Sequence, residues 1–223
     1  MKLLIIGGSG LISGHIARVA MEAGHEVWAV TRGQRKVDEG VHALVADRRD
    51  VPALRAALES ANTQWDAAFD CLCYDPDDAR IDLDVLPPFV KRLVVISTDS
   101  VYHPHHKKVP QTEDGVYMED DSYGAKKRRM ELFFLSEEGK KMDWTIFRNG
   151  HVFGPGSWLG CFPEHMRKPD LLDHMRADKP LQLVGGGKYL IHPIYARDYA
   201  LTLIDCLDKP RPSTRSSVSA ART

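Results

Sequence analysis

The chain has little of what a small stapled or membrane-bound protein depends on. Its 223 residues contain four cysteines, Cys71, Cys73, Cys161 and Cys206, with no repeated CxxC spacing of the kind that holds a metal. A chain of this length buries a full core without disulfides or metals. No apolar run approaches the length a helix needs to cross a bilayer. The apolar start, Leu3-Leu4-Ile5-Ile6, is too short for a signal peptide and reads as a buried strand. Together these absences predict reduced thiols, a cytoplasmic setting and no membrane contact. Charge of either sign is not in excess: 30 Lys+Arg stand against 31 Asp+Glu, a net charge of -1. No global field therefore draws the protein onto nucleic acid, and nucleic acid is not the expected partner.

What is present is alternation. Residues 2–6, 26–31, 41–46, 65–72, 92–97 and 143–148 read as strands. Helical patterns occupy residues 11–23 and a segment holding Val51, Leu54 and Leu58. The run Arg92-Leu-Val-Val-Ile-Ser97 is β-branched and continuous, as a strand buried on both faces should be. Strand–helix alternation predicts an α/β fold, a Rossmann-type doubly wound parallel sheet with helices on both faces. After Gly154-Pro155-Gly156 the rhythm weakens to a helix around 162–177, a short strand at 181–184 and a helix around 196–207. The expected domains are a dinucleotide-binding domain over 1–156, a small, truncated C-terminal substrate lobe over 157–208, and a disordered serine-rich tail over 209–223. The abrupt change at Lys209 suggests a truncated or frame-shifted end, with a natural flexible tail as the alternative.

Gly7-Gly8-Ser9-Gly10-Leu11-Ile12-Ser13-Gly14 lies between the first strand and the first helix. Glycine there permits positive φ and lets a pyrophosphate approach backbone N–H groups at the positive end of the helix dipole. Gly7, Ser9, Gly10, Leu11 and Ile12 are accordingly the expected phosphate-binding residues. NAD-binding folds place an acid at the end of the second strand. Here that strand ends Val30-Thr31-Arg32-Gly33, so Arg32, with Arg35 and Lys36 nearby, points to the 2′-phosphate of NADP, with NAD as the alternative. Asp47, ahead of Arg48-Arg49-Asp50, is a candidate acceptor for the adenine amine or a helix cap.

Tyr123 and Lys127 stand at i and i+4 on a helix whose inward stripe continues through Met130 and Phe134. Lys126, Arg128 and Arg129 diverge from the stripe and are expected in solvent. A neighbouring ammonium would draw the tyrosine pKa down from about 10, so that Tyr123 moves a proton while a cofactor moves a hydride. Ser97-Thr98-Asp99-Ser100 follows the most buried strand and should emerge at the carboxyl end of the sheet, where α/β ligands bind. His103, His105 and His106 form a loop cluster for which solvation is favoured over metal, and no metal is expected.

The Gly7–Ile12 turn, Ser97-Thr98-Asp99-Ser100-Val101-Tyr102, the Tyr123…Lys127 pair and Arg148-Asn149-Gly150-His151-Val152-Phe153-Gly154-Pro155 occur in the order and spacing of extended short-chain dehydrogenases/reductases. The chain thus resembles the NAD-dependent epimerase/dehydratase family over residues 1–208. It departs from that pattern at Ser13, where the family has a third glycine, and at Asn149, where it has proline. The resemblance implies an NAD(P)-dependent epimerase, dehydratase or reductase acting on a nucleotide sugar or a similar small carbonyl or alcohol. It implies Tyr123 as acid/base, Lys127 on the nicotinamide ribose, and Thr98 completing the catalytic set. Cys71, Leu72 and Cys73, at the end of the fourth strand, would line the cofactor together with Arg48 and Asn149. Asp99, Ser100 and His151 would meet the substrate, and a homodimer is implied. The Thr31-Arg32-Gly33 and Ala46–Asp50 segments also resemble chloroplast stem-loop RNA-binding relatives. The rival reading is therefore a non-catalytic NAD(P)-binding regulatory or RNA-binding protein on the same fold.

Overall fold

The computed structural model describes residues 1–155, 157, 170–181, 183–188, 190–209 and 216–217. Nine strands are named in these residues: β1 Lys2–Ile6, β2 Glu26–Thr31, β3 His42–Val45, β4 Ala67–Asp70, β5 Arg92–Thr98, β6 Asp143–Asn149, β7 His151–Phe153, β8 Pro193–Tyr195 and β9 Ser216–Ser217. The helices are α1 Leu11–Glu22, α2 Val51–Ser60, α3 Pro76–Val85, α4 Tyr123–Leu135, α5 Leu171–Arg176 and α6 Ala196–Asp205. The main sheet runs β3-β2-β1-β4-β5-β6-β9, with every pairing parallel.

β1 shows why both faces are covered. Successive side chains of a strand point to opposite faces, so four apolar residues in a row need two cores. Leu4 and Ile6 pack with Leu54 and Leu58 of α2, Leu83 of α3 and Phe134 of α4. Leu3 and Ile5 pack with Ile16 and Val19 of α1 and with Tyr199 and Leu203 of α6. Each such leucine or isoleucine contributes roughly 2 kcal/mol by leaving water. Side-chain caps fix the starts of three helices: Asp50 accepts from Ala53 N–H, Asp75 from Asp78 N–H and Ser122 from Ala125 N–H.

Several expectations are corrected. No strand spans 181–184; Val184–Gly187 forms a 3-10 turn, and residue 182 lies outside the described residues. The helix expected around 162–177 is helical at Leu171–Arg176, with 161–169 outside the described residues. Of the segment expected as a disordered tail, Ser216 and Ser217 pair with Ile146 and Phe147, and 210–215 and 218–223 lie outside the described residues. The helix α3 and the small parallel sheet of β7 and β8 were not anticipated. Among the described residues, no helix is long and apolar enough to cross a membrane.

Candidate active site

The strands all deliver their carboxyl ends to one edge, where a cleft of about 910 Å³ opens. At one end of it the chain leaves β1 through Gly7 and Gly8, with φ of 124° and 113°. A Cβ on Gly8 would also sit 2.6 Å from the Ala29 Cβ, so glycine is required there. Ser13 Oγ turns back to accept from Gly10 N–H at 3.0 Å. The serine in the place of the family's glycine thus takes one of the amides at the start of α1. The first N–H groups of a helix have no intrahelical partner, and the first two residues of α1, Leu11 and Ile12, border the cleft with Gly7, Ser9 and Gly10.

Along one wall of the cleft the basic residues divide. Arg32, Arg35 and Asp47 border the cleft. Among the described residues neither Arg32 nor Arg35 has an ion-pair partner. Asp47 Oδ1 accepts from Arg49 N–H at 2.9 Å, and it is Asp50 rather than Asp47 that caps α2. Arg48, expected to meet the cofactor, also borders the cleft, but its guanidinium is committed to Asp70 and Asp82 at 2.7 Å each. Arg49 is committed to Asp75 and Asp78. Two of these four arginines therefore spend their charge on the chain's own carboxylates.

At the other end of the cleft stand Thr98, Tyr123, Lys127 and Asn149. Thr98 and Asn149 are register partners of β5 and β6, which sets them side by side. Thr98 Oγ1 accepts from Ser100 N–H at 3.2 Å, shaping the turn that carries Asp99 and Ser100 into the cleft. The start of α4 lies directly on that turn. A Cβ on Gly124 would fall 1.9 Å from the Ser100 carbonyl oxygen, so only glycine lets the start of α4 pack this closely on the turn.

Lys127 departs from its expected arrangement. It is buried, and its ammonium donates to the Cys73 and Ile96 carbonyl oxygens at 2.6 Å each. Burial lowers its pKa. Tyr123 stays half exposed, and its pKa is pushed up to about 12 by desolvation and by the neighbouring Tyr74 and Asp99, not drawn down by Lys127. Cys73 is likewise corrected: its side chain is wholly buried in the core, and it serves the site through its carbonyl, while Cys71 and Leu72 border the cleft as expected.

A buried network that the sequence reading missed fixes the rest. Glu131, one turn beyond Lys127 on the same stripe, accepts from Ser97 Oγ at 2.6 Å and from Arg148 Nε and Nη2 at 2.9 and 2.8 Å. Arg148 Nη1 also donates to Tyr102 at 2.6 Å and Tyr117 at 3.3 Å. Arg128, expected in solvent, donates to Glu131 and lies 3.7 Å over the Tyr117 ring. The i+8 position of Glu131 relative to Tyr123 was the available signal.

Tyr74, Lys107 and Ile191 also border the cleft and were not foreseen. Lys107 pairs with Asp99 at 2.8 Å with its side chain 4% exposed, while His105, His106 and Lys108 of the same segment stay exposed. His103 lies near His105 and His106, but the three histidines do not converge as a ligand set; the one such group among the described residues is Asp70, Cys73 and Asp82. His151 borders the cleft.

Comparison with known proteins gives relatives of mixed activity. The chain is 26% identical over 227 residues to 2'-dehydrokanamycin reductase of Streptomyces kanamyceticus, covering 95% of this chain and 59% of that protein. It is 21% identical over 227 residues to chloroplast stem-loop binding protein of 41 kDa b of Arabidopsis thaliana, covering 95% and 56%. The chain thus spans less than two thirds of the curated relatives it matches. Among solved structures, the dTDP-glucose 4,6-dehydratase of Bacillus anthracis in complex with NAD superimposes with a TM-score of 0.78 at 15% identity, covering 100% of this chain and 76% of that one. The Bordetella bronchiseptica enzyme WbmG in complex with NAD does so at 0.74 and 17%, covering 99% and 72%. The profile of the NAD dependent epimerase/dehydratase family matches residues 3–76 and 85–218, and the chain belongs to that family.

Proposed function

We propose that this chain binds NADP, or NAD, along the cleft and serves as an epimerase/dehydratase-type oxidoreductase or isomerase acting on a nucleotide sugar or similar small carbonyl or alcohol. The observation that carries this reading is one continuous cleft. The glycine turn with Leu11 and Ile12 lies at one end, and Thr98, Tyr123 and Lys127 lie at the other. The glycine turn fits a dinucleotide pyrophosphate, because Gly7 and Gly8 hold positive φ and Gly7, Ser9 and Gly10 line the cleft with no bulky side chain between it and the backbone. Such a cofactor supplies hydride exchange when bound.

The remaining work falls to the chain itself. Thr98 holds the substrate oxygen, and the Tyr123 phenol gives or takes the proton at that oxygen. Lys127, one helical turn away, has two of its three N–H donors on backbone carbonyls and offers the third to the ribose. Asn149 orients the nicotinamide end, and Asp99, Ser100 and His151 meet the rest of the substrate. Arg32 and Arg35 favour the 2′-phosphate, since Arg48 and Arg49 are already spent on buried and surface carboxylates. The substrate class is supported by 2'-dehydrokanamycin reductase among the relatives and dTDP-glucose 4,6-dehydratase among the structural neighbours.

Calorimetry with NADP and NAD tests the reading first. NADP should bind at least about tenfold more tightly, and Arg32→Ala should remove most of that difference. Tyr123→Phe should keep cofactor affinity and lose roughly 10²–10⁴ in turnover on a panel of nucleotide sugars. If neither dinucleotide bound, the proposal would fall.

A further inference from the structure

Behind one wall of the cleft, buried carboxylates gather around Arg48. This arginine follows β3, and its Nη1 donates to Asp70 Oδ2 at 2.7 Å. Its Nη2 donates to Asp82 Oδ1 at 2.7 Å and to the Asp78 carbonyl at 2.8 Å. Asp70, the last residue of β4, accepts again at Oδ1 from Leu72 N–H at 2.6 Å. Asp78 is satisfied separately, by Arg49 and by Tyr74 N–H. Asp82, on α3, has only the Arg48 bond. Its Oδ2 is buried, and no donor among the described residues reaches it.

An acceptor buried without a donor carries its full desolvation penalty. What does surround Asp82 is another acceptor: atoms of Asp70, Cys73 and Asp82 lie within 4.8 Å of one another. A metal ion could use such a trio, but the Arg48 guanidinium already bonds both of its carboxylates. Arg48 Nε, itself buried without a hydrogen-bond partner, does not reach Oδ2; the carboxyl satisfies that oxygen by becoming a donor itself. We propose that Asp82 is a neutral carboxylic acid donating its proton to Asp70, and that this pair is the positioning device holding Arg48 and the Leu72 amide against the cofactor cleft.

The proton belongs on Asp82 rather than Asp70 because Asp70 accepts from two strong donors and Asp82 from one. The electrostatics agree. Burial, then the Asp70 charge, push the Asp82 pKa well above the usual carboxylate range, and Arg48 does not offset them. Every charged neighbour enters this balance: Asp70 from β4, Arg48 from the segment after β3 and Asp78 on α3 itself. Cys73 is kept a neutral thiol by burial and by the Asp70 charge. Lys127 of α4 faces Cys73 and Asp70 with its ammonium on two carbonyls. The pair serves the cofactor only if the preceding functional reading holds; the proton itself does not depend on it.

The test is infrared difference spectroscopy on the full chain with ¹³C-labelled aspartate at pH 7. A protonated-carboxyl band should be present in the wild type and absent in Asp82→Asn. The asparagine amide reproduces the acid's pattern, donating to Asp70 and accepting from Arg48, so this variant should melt within a few degrees of wild type. Asp70→Asn, which deprives Arg48 of its counter-charge, should melt roughly 10 °C lower and bind NADP at least about tenfold more weakly. A raised pKa means stability falls as pH climbs from the ordinary carboxylate range toward that value, and Asp82→Asn should lack this fall. No protonated band in the wild type, or an Asp82→Asn loss equal to that of Asp70→Asn, would overturn the proposal. Failure of the wild type to bind either dinucleotide would instead remove the cofactor role, while the band still decides the proton.

Discussion

Gly124→Ala is the perturbation that most directly tests how the site is assembled. The added methyl would lie 1.9 Å from the Ser100 carbonyl oxygen and 2.7 Å from its carbon. Both are backbone atoms, so no flexible side chain can swing aside. An ordinary carbon–oxygen contact needs about 3.3 Å, so α4 and the Thr98–Ser100 turn must separate by roughly 1.4 Å. Overpacking of this kind costs about 1–3 kcal/mol or more, which for a chain of this size lowers Tm by roughly 3–10 °C. Gly14→Ala, inside α1, is the matched control. Its methyl would meet Arg18 at 3.6 Å and the Gly8 carbonyl at 3.8 Å, which are ordinary contacts. Alanine there should gain up to about 1 kcal/mol from helix propensity. Scanning calorimetry of the two variants should therefore give shifts of opposite sign. Because the separation also carries Tyr123 away from Thr98, Gly124→Ala should cost turnover on the order of 10² while the glycine turn still binds cofactor. A Gly124→Ala protein melting at or above wild type would refute the close packing of α4 on that turn.

Two further outcomes follow from the same geometry. The Tyr123 phenol should titrate near 12 in the cofactor-free chain, against an ordinary value of 10, so stability should fall as pH rises from about 10 to 12. Lys127→Met should leave that titration in place, because the ammonium is held by the Cys73 and Ile96 carbonyls; phenolate absorbance with Tyr123→Phe as blank reads it, and a clear rise in the variant would contradict the arrangement. Glu131→Leu should cost about 3–5 kcal/mol in urea unfolding, since it strips the buried Arg148 of its carboxylate; a loss under about 1 kcal/mol would mean that the network does not hold α4.

Local signals and long-range ones were not equally legible. Leu3-Leu4-Ile5-Ile6 announces a two-faced strand because its pattern is decided by its own residues, and β2 falls at Glu26–Thr31 as read. The i,i+4 stripe of α4 likewise placed Lys127, Met130 and Phe134 inward. Periodicity says which face a residue takes, but not whom it meets there. Lys127 was inward as expected, yet its partners are carbonyls of β5 and of the segment after β4, separated from it by 31 and 54 residues. Arg48 reads as a cofactor contact because nothing near it in the sequence announces its acids, which lie on β4 and α3, up to 34 residues away. The Asp75-Pro76-Asp77-Asp78 start of α3 reads as turn chemistry and hides a helix whose inward positions include the acids Asp78 and Asp82 beside Ala79, Leu83 and Val85. A helix that buries carboxylates defeats a hydrophobic pattern, because the apolar stripe it should display is partly replaced by charge satisfied elsewhere. The part of the site that binds by backbone could thus be read from glycines and order of elements. The part that works by side-chain charge depends on which acids the fold brings to which arginines, and only the folded chain brings them together.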